Sequence, residues 1–540
     1  MTALGPFLLA TSLAVPTAFL VACFVRRLRS AALALQWLAS GPALLAAIAA
    51  LMSGPFDLEA PALKLSLRLD QPAALILAPS ALLWIAVGAG AFLNKAERPE
   101  PRVAVSWLLT MIGSLGVFVA DDLLSCYLVY ALVSIPAYGM FAFDPSPATR
   151  RAGGIYMSFA ILGEAFLLFA FAMLAAGEPH GSLRIPDVVA ALPGSAWRDA
   201  ALALLVAGFG AKMGLVPLNG WMPIAYAVTP IPAAAMLSGA GVKAGVIGLV
   251  RFLPLGTALV GWGEGLAVIG FVTAFYGVGV GVTQQNPKAV LAYSSVSQMG
   301  VIAAALGLAL AAGDPNAPSL VSYYAANHVL VKGALFLAVG AFAAQGARSA
   351  LWTLLAAALA LSLAGLPLTG GALAKVASKP LFGDGLAATL AALSSAGSAM
   401  LMLHFVSRLR ESCRYHATAT PAPLVRSWPA AALGALPLPY LFFPLVGSLS
   451  DALAPSKLWD SLWPVLVGGL LALGLSRLSD RLPRVPPGDA IVGGEAAFDR
   501  LLTSGSLFDR VDRAFRRWSA AGLALLAIVL ALAYATAFGG

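Results

Sequence analysis

Residues Lys212 to Arg251 read KMGLVPLNGWMPIAYAVTPIPAAAMLSGAGVKAGVIGLVR. The run is apolar enough to sit in lipid, yet it carries Lys212 and Lys243 inside hydrophobic stretches and is interrupted by Pro217, Pro223, Pro230 and Pro232. An ionisable side chain within a membrane span is costly and is kept there by a cavity, a partner or an ion path. Proline and glycine free backbone groups that lipid cannot satisfy, so a break at that depth faces protein or water. A broken helix beside buried lysines therefore reads as a transport site.

The rest of the chain has the same texture. Of 540 residues, 60% are hydrophobic and only 11% charged, and the mean hydropathy is +0.88, which excludes an ordinary soluble globular protein. At roughly 20 apolar residues per span, hydropathy predicts an all-α polytopic membrane protein of about sixteen transmembrane helices. They fall near 4–24, 31–52, 73–93, 104–120, 123–143, 153–176, 200–217, 231–253, 260–282, 288–311, 318–343, 351–373, 385–407, 428–447, 460–476 and 518–537.

The formal charge of +9 does not point to nucleic acid, because the basic residues mark loop sides instead of clustering on a soluble domain. With each span taken as a crossing, Arg26, Arg27, Arg29, Lys95, Arg98, Arg102, Arg150, Arg151, Lys288, Arg348, Arg408, Arg410 and Arg414 fall on one face. Arg477, Arg481, Arg484, Arg510, Arg513, Arg516 and Arg517 join them. The positive-inside rule makes that face cytoplasmic, in a cell inner (plasma) membrane, with both termini outside. Asp121, Asp122 and Asp314 lie opposite, with Lys64 and Arg184. Cys23, Cys126 and Cys413 show no ligand spacing, so neither a metal, a disulfide framework nor any cofactor is expected. The first apolar run is followed, not preceded, by arginines and reads as a retained span.

Residues 1–103 read as three plain, lipid-facing packing helices with an outside loop near 53–72. From Ala104 polar residues enter the apolar runs. Asp122 opens DLLSCYLVYALVSIPAYGMFAF, and Glu164 sits near the middle of the next span. A carboxylate at a helix centre costs several kcal/mol on insertion scales, so Glu164 is expected to face a polar interior. Ser294, Ser295, Ser297 and Gln298 follow in QQNPKAVLAYSSVSQMG. Asn327, His328 and Lys332 lie in the next span, and the i, i+4 spacing puts His328 and Lys332 on one helical face. GLPLTGGALAKVASKPLF is a second broken element, with Lys375 read as interior and Lys379 as an interfacial anchor. Residues 478–517 form a polar connector whose second part is basic and amphipathic, as in a helix lying along a membrane interface or a partner. No triad or nucleotide loop appears; GAGVKAG, from Gly239 to Gly245, lies inside a span without strand context.

From about Ala104 to Leu409 the chain resembles the antiporter-like proton-translocating subunits of respiratory complex I, of multi-subunit sodium/proton antiporters and of energy-converting hydrogenases and formate hydrogenlyases. The motifs that carry the likeness are Asp122-Leu-Leu, the Lys212 to Pro223 break, Pro230 to Arg251, AYSSVSQMG, NHVLVKGALF and GLPLTGGALAK, in that order. The resemblance implies two inverted five-helix repeats, about 104–254 and 260–407, each with a broken helix. They would sit in a core spanning 104–409, with N-terminal helices in 1–103 and C-terminal helices in 410–540. It further implies a proton path through Lys212, Lys243, His328, Lys332 and Lys375, with Asn219, Ser294, Ser295 and Asn327 as a secondary polar path. Burial disfavours a charged lysine and a nearby carboxylate favours it, so a lysine with a movable acid is a proton switch.

Three positions depart from the family pattern. Ala131 stands where a glutamate usually pairs with the first lysine, Asn219 replaces a histidine, and Ile224 replaces an acid. Ala131 lies thirteen residues before Asp144 and Glu164 thirteen after Arg151, which places them at matching depth on adjacent antiparallel helices. Glu164 is therefore expected to pair with Lys212 in the absent acid's place.

The leading functional expectation is a non-redox, proton-translocating subunit of a multi-subunit energy-converting complex, hydrogenase- or complex I-like, with no catalytic centre of its own. The alternative is a subunit of a cation/proton antiporter or of a cation-coupled uptake system such as inorganic carbon uptake. A structural anchor whose path has decayed is a third reading, which the retained lysines oppose. The implied partners are other membrane subunits, with a soluble redox or zinc-bearing subunit, and the ions are protons, with sodium as the second possibility.

Overall fold

Apolar runs that begin on a proline or a capping side chain set the helices. Asp122 accepts from the Ser125 amide, Ser146 from that of Thr149 and Asn286 from that of Lys288, each satisfying a free donor at a helix start. The computed structural model describes residues 4–60, 65–92, 100–143, 146–345, 350–415, 422–478, 485–488 and 491. The chain divides into a unit ending at Pro487 and a second from Gly488 to Gly540. Nearly all of the second, with the expected span 518–537 and most of the connector 478–517, lies outside the described residues.

Among the described residues twelve helices are long and apolar enough to cross a membrane, and the protein is a multi-pass membrane protein. Three further expected spans are shorter helices, Pro101–Gly116, Arg198–Met213 and Ala350–Ala364. The first stops early because residues 118–122 leave the helix to bond elsewhere, and the other two end at backbone breaks.

The expected loop near 53–72 contains a β-hairpin. Phe56–Ala60 pairs antiparallel with Leu65–Leu69, with Phe56 opposite Leu69 and Leu58 opposite Leu67. The second strand bonds onward into the core segment: Arg68 donates its amide to the Val119 carbonyl at 2.7 Å and Asp121 donates to Ser66 at 2.9 Å. The Asp122 carboxylate accepts from the Ser66 amide at 2.9 Å as well as from Ser125. Arg251 closes the junction by donating to the carbonyls of Ala120, Phe118 and Arg68.

The N-terminal helices also correct an expectation. Gln71–Phe92 does not face lipid: it is buried along most of its length, with Leu83 packed where a Cβ on Gly239 or Gly333 would collide. Its run of alanines and leucines is as apolar as a lipid-facing helix, so hydropathy alone could not separate the two.

Val260–Gly281 and Pro287–Ala312 pack antiparallel through glycines at seven-residue spacing. A Cβ at Gly263, Gly270 or Gly277 would lie 2.3, 2.3 and 2.6 Å from the backbone nitrogens of Ala311, Ala304 and Ser297. Gly300 and Gly307 meet the first helix as closely. Small residues let two backbones touch where lipid gives no hydrophobic drive to association.

Candidate ion-translocation path

The stretch from Lys212 to Arg251 is broken three times. Arg198–Met213 ends on Gly214 in the left-handed region, and a turn leads to Trp221–Val228. Ile231–Met236 then runs through a π turn, Leu237–Gly241, into Lys243–Phe252. The first break is satisfied by protein: Leu215 donates to Gly210, Val216 to the Thr273 hydroxyl at 3.0 Å, and the Trp221 indole to Ala211 at 2.8 Å. Irregular backbone at membrane depth requires such internal partners.

Lys212, on the last turn before the break, is buried. Its Nζ donates to Ser134 Oγ at 2.9 Å and to Tyr156 Oη at 3.3 Å, while the Tyr156 hydroxyl donates to the Ser134 carbonyl at 3.0 Å. Glu164 is buried close by on the Tyr156 helix, and its Oε1 has no hydrogen-bond partner. Gly163 and Gly208 let that helix approach Arg198–Met213 at the depth of Glu164. The two charged groups are in electrostatic range, but there is no direct Lys212–Glu164 ion pair; the Ser134 hydroxyl faces both. Ser134 lies three residues beyond Ala131, on the same helical face.

A second cluster follows the π turn. Lys243 Nζ lies 2.6 Å from His328 Nδ1 and donates to the Ser238 carbonyl at 3.2 Å. π turns loosen the helical ladder and gather at functional sites, and here the turn supplies a carbonyl to a lysine. Lys332, one turn beyond His328, donates to the Leu291 carbonyl at 2.8 Å. Ser238 and Ser295 share a hydrogen bond of 3.1 Å. Lys243, His328 and Lys332 are essentially fully buried, and His328 Nε2 has no partner. Three basic side chains thus meet in one buried cluster with no carboxylate among the partners the described residues supply.

The second broken element carries Lys375. Ala350–Ala364 ends at Gly365, Leu368 adopts a positive φ of 62°, and Thr369 caps Gly370–Phe382. A Cβ on Gly371 would lie 1.5 Å from the Ser362 carbonyl oxygen, so only glycine fits this crossing. Lys375 Nζ donates to the Ala364 carbonyl, at the electronegative end of the broken helix. Beside it lies a cavity of about 300 Å³ lined in part by Gln298, Tyr324, Ser394, Ser398 and Asp460. The Tyr324 hydroxyl donates to Gln298 Oε1 at 2.7 Å, and Gln298 donates to Ser398 at 3.0 Å. Lys379 pairs with Asp460 at 2.7 Å in a half-exposed position.

The secondary residues are less unified. Asn219 and Asn327 are buried with an unpartnered side-chain atom each, and Ser295 joins Ser238. Ser294 donates to the Met402 sulfur at 3.8 Å. Sequence reading takes Ser134, with Pro136, only as a late interruption of its helix and does not single out Tyr156 or Tyr324, since a hydroxyl in an apolar helix is common. Asp122, which opened the likeness, is a helix cap tied to the hairpin.

The family model described as NADH:quinone oxidoreductase/Mrp antiporter, TM, matches residues 120–402. The chain is 29% identical over 303 residues to the NADH-quinone oxidoreductase subunit N of Chromohalobacter salexigens, an alignment covering 53% of this chain and 63% of that one. It is 28% identical over 293 residues to hydrogenase-4 component B of Escherichia coli, covering 51% of this chain and 43% of that one. The alignments thus span about half the length of these relatives. A chain of the Mrp complex from Dietzia has the same fold, with a TM-score of 0.75 at 21% identity, over 100% of this chain and 63% of that one.

Proposed function

The chain belongs to the NADH:quinone oxidoreductase/Mrp antiporter transmembrane family, and from that premise we propose that it is a proton-translocating subunit of a multi-subunit energy-converting membrane complex. The observation that carries this reading is the sequence of buried basic groups at backbone breaks. Lys212 stands at the first break, Lys243, His328 and Lys332 meet after the π turn, and Lys375 holds the end of the second. A lysine whose hydrogen-bond partners are hydroxyls and carbonyls gives up a proton more readily than one locked to a carboxylate.

On this reading residues 104–254 and 260–407 are two inverted five-helix repeats within a core of 104–409, and the full chain has sixteen spans. It sits in the cell's inner membrane with both termini outside, among other membrane subunits. Glu164 serves the first half-path as its acid, and the subunit itself holds no redox centre. Sodium exchange against protons, or cation-coupled uptake, is the alternative for the same path.

Reconstituting the purified chain, with the subunits that copurify, into vesicles tests the reading. Lys212→Ala, Lys243→Ala, Lys332→Ala and Lys375→Ala are each expected to abolish proton flux. Wild-type flux in all four would overturn it. A copurifying iron–sulfur or nickel subunit assigns a redox-driven complex, small membrane subunits alone an antiporter, and a zinc-bearing soluble subunit an uptake system.

A further inference from the structure

Around Lys212 the side chains of three helices converge. Ser134 Oγ accepts from Lys212 Nζ at 2.9 Å, has no backbone acceptor among the described residues, and faces the Glu164 carboxyl group. Tyr130 Oη and Glu164 Oε1, both buried, have no hydrogen-bond partner. A cavity of about 10 Å³ is lined in part by Tyr130, Ser134, Tyr156 and Lys212. That is close to the least space one water occupies, roughly 10–15 Å³, and a buried water needs two to four polar partners. Four residues with such groups line the cavity, Tyr130, Ser134, Tyr156 and Lys212, and the Lys212 ammonium is already in hydrogen-bond contact with the Ser134 and Tyr156 hydroxyls.

We propose that Ser134 is the proton bridge between Lys212 and Glu164, and that a single water bound against Tyr130 and Lys212 supports it. The inference rests on the reading that Lys212 and Glu164 carry protons. In the transfer, a Lys212 N–H bond breaks as an O–H bond forms at Ser134 Oγ, and the original Ser134 O–H breaks as an O–H forms on Glu164. Lysine loses its positive charge and the carboxylate its negative charge, so no net charge is left in the apolar site. The hydroxyl then turns back toward Lys212, with the water holding its hydrogen bonds during the turn. An acid one helix away thereby does, through an intermediary, what an acid at position 131 would do by direct contact.

The test uses the full chain with its copurifying membrane subunits in vesicles, with proton flux driven by a potassium diffusion potential and read by an enclosed pH dye. Ser134→Ala should slow the flux about tenfold or more, while Ser134→Thr, which keeps the hydroxyl, stays within about threefold of the parent. The infrared band of the protonated Glu164 carboxyl group, assigned by its loss in Glu164→Gln, should shift in Ser134→Ala. If the threonine methyl group disturbs packing, Ser134→Cys replaces it: flux between the serine and alanine values supports the bridge, and parental flux overturns it. Parental flux and an unshifted band in Ser134→Ala, beside an inactive Glu164→Gln, overturn the bridge and leave the role of Glu164 standing. Parental flux in Glu164→Gln overturns both.

Discussion

Lys243 Nζ and His328 Nδ1 lie 2.6 Å apart, with Lys332 one turn away on the histidine's helix and all three shut off from solvent. The contact is a hydrogen bond either with the lysine donating to Nδ1 and the ring proton on Nε2, or with Nδ1–H donating to an uncharged lysine amine. The Nε2 atom is buried and has no hydrogen-bond partner. Neither group has a carboxylate against it among the described residues, so burying the lysine there costs desolvation that no ion pair offsets.

Removing one of them should therefore separate function from stability. A buried charge without an ion pair carries a desolvation penalty of several kcal/mol, which an apolar side chain of similar volume does not have. Lys243→Met is expected to melt at or above the parent's temperature in detergent while vesicle proton flux is lost. A variant that melts clearly lower would show that the lysine is structural.

Asp122 should behave in the opposite way. Its carboxylate caps one helix through Ser125 and fixes the hairpin through Ser66. Asp122→Ala leaves both amides without an acceptor and should cost about 1–3 kcal/mol, while Asp122→Asn, which still caps, costs less. Denaturant unfolding measures the loss, and flux per folded molecule is expected to stay at the parental level.

Asp121, its neighbour outside the spans, sets a pH dependence. Burial pushes its carboxyl group above the ordinary 3.8, ahead of the opposing pull of Arg184, Arg251 and Arg68. The folded chain thus binds this proton more tightly than the unfolded chain. The stabilising contribution is complete below about 3.8 and is lost as pH rises through the higher folded value. Asp121→Asn should then equal or exceed the parent in melting temperature at neutral pH, with the gap closing on acidification. A gap that widens as pH falls would contradict the sign.

The part of this architecture that could be read from residue types is the part that is rare. Charged groups inside apolar runs single out Lys212, Lys243, His328, Lys332, Lys375 and Glu164, and clustered prolines and glycines mark both breaks. What stayed hidden depends on partners distant in sequence. Ser134 meets Lys212 across seventy-eight residues, and a serine late in a helix looks like an ordinary helix end. The burial of Gln71–Phe92 and the hairpin's grip on residues 118–122 arise from packing between segments, which hydropathy along one segment does not encode. The direct Lys212–Glu164 pair was expected from matched depth, but depth says nothing of which side chain stands between two helices.

Lys375 and Lys379 sit one turn apart and should differ sharply. Lys379 meets Asp460 in a half-exposed pair, and such pairs contribute less than about 1 kcal/mol. Lys379→Ala is expected to leave melting and flux nearly unchanged. Lys375→Ala removes the group that holds the Ala364 carbonyl beside the 300 Å³ cavity, and vesicle flux should fall to baseline.

The glycine contact between Val260–Gly281 and Pro287–Ala312 makes a prediction that needs no transport assay. At Gly270 an added Cβ would meet the Ala304 nitrogen at 2.3 Å, whereas at Gly279, on the same helix, nothing lies within 4 Å. Backbone cannot move aside as a flexible side chain can, so the two helices must separate along the contact. Gly270→Val should cost about 1–3 kcal/mol or more, in the range of overpacked cores, and Gly279→Val far less because its side chain enters open space. The comparison cancels the helix propensity of valine, which both variants share. Equal melting temperatures for the two would mean that the helices are not held together by backbone contact at Gly270.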